Sequence, residues 1–136
     1  METSAINKDF RTSPEYVTGF VEGEGTFTFS RHKNGLTPHF GIRLTAQDRL
    51  VLETIQEFFG GIGHIYVAKA YISRSGKTKT ASYFRVARTM DLLKIMDHFD
   101  KYPLMGTKKY QFETWKKLVL LKLNFGKGVK DEVESL

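Results

Sequence analysis

The stretch Tyr16–Gly25 (Y-V-T-G-F-V-E-G-E-G) constrains this chain more than any other. Read as a helix, it places Val17, Phe20, Val21 and Glu24 at i, i+3, i+4 and i+7, a single stripe along one face. Gly19 and Gly23 stand one turn apart on another face, where the missing side chains let a second helix come close. A glycine inside a helix costs about 0.5–1 kcal/mol relative to alanine, so the pair predicts compensation from outside the helix. Glu22 and Glu24 fall at the C-terminal end, where the macrodipole is negative and each carboxylate is disfavoured by roughly 0.3–1 kcal/mol. A bound cation would remove that penalty. A second reading stays open from chemistry alone: a short packing helix that ends at Gly25 with its acids in water.

A chain of 136 residues suits a single domain (1–136) with one core, supplied by 40% hydrophobic residues and 11 Phe. The 21 Lys+Arg against 15 Asp+Glu give a net charge of +6, which favours a polyanionic partner, nucleic acid before anionic membrane. A merely basic soluble protein is the plain alternative. With no cysteine there are no disulfides and no thiolate metal ligands. No apolar run approaches membrane-spanning length, and the opening METSAINKDF lacks the apolar core of a signal peptide.

Residues 1–12 read as a polar arm, after which Ser13-Pro14 opens the first helix, serine as N-cap and proline at its first position. Beyond Gly25 the period changes to two: Thr26, Thr28, Ser30 and His32 alternate with the inward Phe27 and Phe29. Asn34-Gly35 and Pro38 mark a turn, and the next strand carries Phe40, Ile42 and Leu44 inside, with His39, Gly41 and Arg43 outside. A helix then starts near Thr45–Asp48, with Asp48 as a cap and Val51, Ile55, Phe58 and Phe59 at helical spacing, and Gly60–Gly63 stops it. A second hairpin runs from His64 to Ile72, through a basic turn, and back over Ala81–Arg88; Ile65, Val67, Phe84 and Val86 point in, and Tyr66, Ala68, Tyr83 and Arg85 point out. Helices follow over roughly 90–100 and from about Thr107, the latter turning Phe112, Trp115 and Val119 inward. Residues 124–136 read as a frayed tail, with a short helix over Lys130–Leu136 as an option. Antiparallel hairpins with helices on one side make an α+β domain.

Val17 to Gly25 (V-T-G-F-V-E-G-E-G) resembles the LAGLIDADG signature of homing endonucleases in both contact glycines, both acidic positions and the closing glycine. The acids are glutamates where the family name shows aspartates. The α-β-β-α-β-β-α order of residues 13–123 is similar to that family's fold, which implies a saddle-shaped antiparallel sheet that binds DNA, with helices on its other face. The resemblance also implies that two such helices pack in parallel and that Glu24, with the carbonyl of Gly23 beside it, binds a divalent metal at the cutting site. It makes Lys108, in Pro103–Lys108, a candidate near the scissile phosphates, where a held cation opposes the charge that builds during phosphodiester cleavage. An ordinary solvated lysine is the alternative. Gln47 is a third catalytic candidate, and whether Gln47 or Ala46 takes the corresponding place stays open.

Carboxylate and carbonyl donors suit Mg²⁺ rather than zinc, and Mn²⁺ or Ca²⁺ can occupy the same site. His32, His39, His64 and His98 show no H-x-x-x-H spacing and read as surface or DNA-facing residues. Carboxylates on both sides of the cations clamp the attacking and leaving oxygens. A homodimer through Thr18, Gly19, Glu22 and Gly23 would supply the second Glu24 and predicts a near-palindromic target. The polar hairpin faces form the reading surface, since a β-ribbon fits the major groove. The candidates are Thr28, Ser30, His32, His39, Arg43, Tyr66, Tyr83 and Arg85, with Lys33, Arg74, Lys77 and Lys79 on phosphates. The wet side of a half-exposed sheet is the plain alternative for each.

The expectation is therefore a Mg²⁺-dependent, intron-encoded homing endonuclease that cuts both strands of double-stranded DNA as a homodimer, and the resemblance implies that it leaves short 3′ overhangs. The rivals are a non-cleaving DNA-binding regulator and an RNA-splicing maturase on the same fold, the latter with host intron RNA as partner. No membrane partner is expected, and the compartment stays open between bacterial cytoplasm and an organelle.

Overall fold

Ser13 and Pro14 start the first helix as the sequence predicts: the Ser13 hydroxyl accepts the Tyr16 N–H at 3.0 Å, and Pro14 occupies the first turn. The structure, a computed structural model, describes residues 12–125 apart from 71 and 78. In chain order it contains helix α1 (Pro14–Glu24), strands β1 (Gly25–His32) and β2 (Gly35–Thr45), and helix α2 (Arg49–Phe58). Strands β3 (His64–Ala68), β4 (Ile72–Ser73), β5 (Gly76–Lys77) and β6 (Ala81–Val86) follow, then helices α3 (Thr89–Lys101) and α4 (Lys108–Phe125). The four long strands form one antiparallel sheet in the order β1-β2-β6-β3. This is the predicted α+β architecture.

One face of the sheet carries the core. Val17 and Val21 of α1, Phe40 and Ile42 of β2, Phe84 and Val86 of β6, Leu92 and Ile95 of α3, and Trp115 and Val119 of α4 are all buried. Phe27 is the hub, with the rings of Phe40, Phe99, Phe112 and Trp115 centred 5.1–5.4 Å away. Each such side chain contributes about 1.5–3 kcal/mol by leaving water. Trp115 also donates its indole N–H to the His39 carbonyl at 3.0 Å, which ties α4 to β2.

Several local expectations need correction. Phe29, placed inside by alternation, is 41% exposed, because β1 is an edge strand and α4 leaves a groove beside it lined by Tyr110, Gln111 and Thr114. Val67 is 46% exposed on the opposite edge strand, β3. Pro38 belongs to β2 rather than to the turn; pairing with β6 stops at Phe40↔Val86, so its missing N–H leaves no gap towards that neighbour. Helix α2 is preceded by a 3₁₀ turn over Ala46–Asp48, and Asp48 accepts from the Thr45 hydroxyl instead of capping. Leu52, absent from the predicted stripe, is fully buried. Within the basic turn of the second hairpin, β4 and β5 form a small ladder of their own. Helix α4 continues through Phe125, so Asn124 is helical; the arm up to residue 11 and the tail from residue 126 lie outside the described residues.

Candidate functional site

The C-terminal pole of α1 gathers two acids and one distant base. Glu22 turns towards the loop between α3 and α4, where its carboxylate accepts the Met105 N–H at 2.8 Å and the Gly106 N–H at 3.1 Å. One turn earlier, Thr18 donates its hydroxyl to the Tyr102 carbonyl at 2.8 Å. The hydroxyl proton being spent there, the 3.0 Å contact between Thr18 Oγ1 and His98 Nε2 has the imidazole as donor. His98, read as a surface or DNA-facing residue, is only 7% exposed and sits among the rings of Phe58, Phe59, Phe99 and Tyr102. Burial lowers its pKa to about 4, against weaker upward pulls from Asp97 and Glu15.

Lys108 reaches the same pole. Its ammonium donates to the Val21 carbonyl at 3.1 Å and the Gly25 carbonyl at 2.6 Å, a cation at the negative end of a helix whose own last turn has no basic residue. Gly25 closes α1 in an extended conformation, with its N–H on the Val21 carbonyl. A side chain there would bring its Cβ within 2.5 Å of Val21 Cγ1, so this glycine is required for space. Glu24 ends the helix exposed, with no hydrogen bond or ion pair among the described residues. Of the two acids at the wrong pole, Glu22 is satisfied within the chain, and Glu24 has no partner among the described residues.

Gly19 and Gly23 are exposed, and a Cβ built on either meets nothing within 4 Å. Among the described residues nothing requires glycine at these positions. Thr18 and Glu22, grouped with them in the expected pairing surface, face the chain's own 102–106 segment, which leaves Gly19 and Gly23 as the open strip. Gln47 is exposed in the 3₁₀ turn, and its neighbour Ala46 is pinned by the Thr80 carbonyl and the Ser82 hydroxyl. Among the described residues no three His, Cys, Asp or Glu side chains cluster as a metal cage. By donor type, the Glu24 carboxylate and a main-chain carbonyl such as that of Gly23 are oxygens of the kind a hard cation binds while keeping waters.

The face of the sheet away from the core presents the predicted reading residues in transverse rows. Register places Thr28 opposite His39, Arg43 opposite Tyr83, and Tyr83 opposite Tyr66. A further row runs Thr26, Gly41, Arg85, His64. Parity carries Thr26 and His64, two residues before Thr28 and Tyr66, onto this face as well. Ser30 Oγ and His39 Nε2 are 3.2 Å apart, and burial together with the Arg85 charge lowers the His39 pKa, so this ring is neutral near pH 7. His32 and Lys33 lie at the β1–β2 turn; Arg74, Lys77 and Lys79 are exposed along the β4–β5 excursion.

Comparison with known proteins agrees with this fold. The family model described as LAGLIDADG endonuclease matches residues 17–119. A protein of Neurospora crassa named "Probable intron-encoded endonuclease 2" is 33% identical over 119 residues, covering 82% of this chain and 25% of its own length. The chain spans about a quarter of the length of three of the curated relatives it matches, and 40% of the length of a fourth, from Dictyostelium citrinum. Among solved structures, the meganuclease I-AabMI bound to uncleaved DNA superposes with a TM-score of 0.72 at 27% identity, covering 84% of this chain and 38% of that one. I-SmaMI bound to an uncleaved DNA target in the presence of calcium ions gives 0.71 at 26% identity, with 84% and 38% covered. The matched span runs from α1 into α4, and on it this chain belongs to the LAGLIDADG endonuclease family.

Proposed function

We propose that the chain is one half of a site-specific DNA endonuclease that hydrolyses both strands of a long, near-palindromic duplex with a divalent cation, Mg²⁺ first. The observation that carries the reading is Glu24, an exposed carboxylate, beside a strip of glycines; among the described residues nothing partners the one or fills the other. A non-cleaving regulator or a maturase has no use for a carboxylate held beside phosphates. The facing half in this reading is a second copy of the chain. A second motif in one longer polypeptide would meet the same geometry, in line with coverage of about two-fifths of solved nucleases such as I-AabMI and I-GzeII.

Each residue then has a task that its position supports. Glu24 and the Gly23 carbonyl would hold the cation, which when bound supplies Lewis acidity and a lowered pKa for water. Lys108, fixed by two carbonyls at the same pole, opposes the negative charge that builds on the phosphate and holds the end of the helix that presents Glu24. Gln47, exposed in its turn, is left to orient water. The open sheet face lies in the major groove: Thr28, Ser30, neutral His39, Arg43 and Arg85 address base edges, with Tyr66 and Tyr83 in the row beside Arg43 and His32 at the hairpin end. Lys33, Arg74, Lys77 and Lys79 hold phosphates.

The test is Glu24→Gln against a randomised duplex library, with Mg²⁺ and with a chelator. Wild type should cut only with the metal, and Glu24→Gln should bind the same sequences without cutting. Cleavage by Glu24→Gln at the wild-type rate would refute the assignment.

A further inference from the structure

Three side chains on the open sheet face are locked to one another, one from each of β2, β6 and β3. Register sets Arg43 opposite Tyr83 and Tyr83 opposite Tyr66. The two phenol rings stack with centroids 5.1 Å apart and planes 5° from parallel. Arg43 donates Nε–H to the Tyr83 hydroxyl at 3.0 Å, while its guanidinium carbon lies 5.8 Å from the ring centroid. That centroid distance is at the outer edge of a cation–π contact, so the hydrogen bond is the stronger restraint.

The consequence concerns what the arginine can still do. A guanidinium has five N–H donors in a planar fork; with Nε–H committed, four remain on the two terminal nitrogens of an exposed side chain. Two parallel donors from that end match O6 and N7 of guanine in the major groove. A long flexible side chain normally loses its freedom when it binds, which weakens both affinity and discrimination. Here that freedom is given up on folding, because Tyr83 holds the arginine and Tyr66 keeps Tyr83 flat. The restraint runs across three strands and is independent of the hairpin tips.

We propose that Tyr83 is a positioning residue for base recognition: through its hydroxyl it sets the Arg43 fork to read one guanine in the half of the DNA target that this chain covers. The inference rests on the reading of the sheet as the DNA-binding face. It separates the roles within the row: Arg43 touches the base, Tyr83 aims it, and Tyr66 braces Tyr83.

The experiment recovers preferred sequences from a randomised duplex library with wild type, Tyr83→Phe, Arg43→Ala and the double variant. Phenylalanine keeps the stacked ring, and an unchanged urea midpoint followed on Trp115 confirms that the fold is retained. Wild type should show one guanine position that Arg43→Ala abolishes. Tyr83→Phe should lower preference there by about tenfold, the size of a lost hydrogen bond to a charged group, with other positions unchanged. In the Arg43→Ala background the tyrosine change should have no further effect at that position. Unchanged guanine preference in Tyr83→Phe would overturn the inference while leaving the DNA reading intact. Uniform weakening by Arg43→Ala across all sequences would make Arg43 a phosphate contact and overturn it too. A wild-type chain with no sequence preference at all would remove the DNA-binding reading itself.

Discussion

Lys108→Met removes an ammonium and keeps the aliphatic stem. In the structure that ammonium bonds the carbonyls of Val21 and Gly25 at 3.1 and 2.6 Å, on either side of the turn that carries Glu24. A hydrogen bond from a charged donor contributes about 1.5–3 kcal/mol, and a cation at a helix C-terminus about 0.3–2 kcal/mol depending on burial. The two figures describe overlapping physics, since the carbonyls are the negative pole, and Lys108 is half-buried, so water replaces part of what is lost. A destabilisation of about 2 kcal/mol is therefore expected. With a urea dependence of roughly 1–3 kcal/mol per molar, the midpoint should fall by about 1 M. Trp115 is the natural probe, being the single tryptophan, buried, and hydrogen-bonded to β2. Cleavage should fall as well, because the end of α1 frays beneath Glu24. A Lys108→Met chain with the wild-type midpoint and impaired cleavage would refute the argument, leaving the lysine a role on phosphates alone.

Two further tests use the same measurement. Burial holds the His98 pKa at about 4 against an ordinary 6.5, so the unfolded chain takes up a proton that the folded chain refuses. Stability is therefore full above pH 6.5 and lost as pH falls towards 4, by about 3 kcal/mol; His98→Gln should flatten that slope, and an unchanged slope would contradict the assignment. Gly25→Ala drives a methyl to 2.5 Å from a fully buried Val21 side chain, which should cost about 1–3 kcal/mol, and an unshifted melting temperature would show that the contact relaxes freely.

Much of the fold is written in local chemistry. Ser13-Pro14 starts α1, and the left-handed glycines Gly60, Gly61 and Gly63 end α2 as their residue type predicts. Alternation places Phe40, Ile42, Phe84 and Val86 inside, because β2 and β6 are the two central strands of the sheet. It fails at Phe29 and Val67 on the edge strands, since period two tells which face a residue takes but not whether a helix covers it. His98 has apolar helix neighbours, Ile95 and Phe99, yet its defining partners, Thr18 and Phe58, lie far away in sequence. Likewise the acids of α1 stand out at once, but only the tertiary fold brings Lys108 to Val21 and Gly25 and the Met105 and Gly106 amides to Glu22. Glu24 stands out as the candidate acid because, among the described residues, the fold leaves it without a partner.

The account depends on the bare strip of α1 receiving a second α1. Sedimentation velocity on Gly19→Leu, with double-strand cleavage read from the same samples, tests that most directly. Among the described residues nothing within 4 Å opposes a Cβ at this position, and leucine is a better helix former by about 0.5–1 kcal/mol, so the fold should be as stable as wild type or more so. The account predicts a well-folded Gly19→Leu chain that sediments singly and does not cut, where wild type sediments as a pair. A Gly19→Leu chain that pairs and cuts both strands like wild type would contradict it.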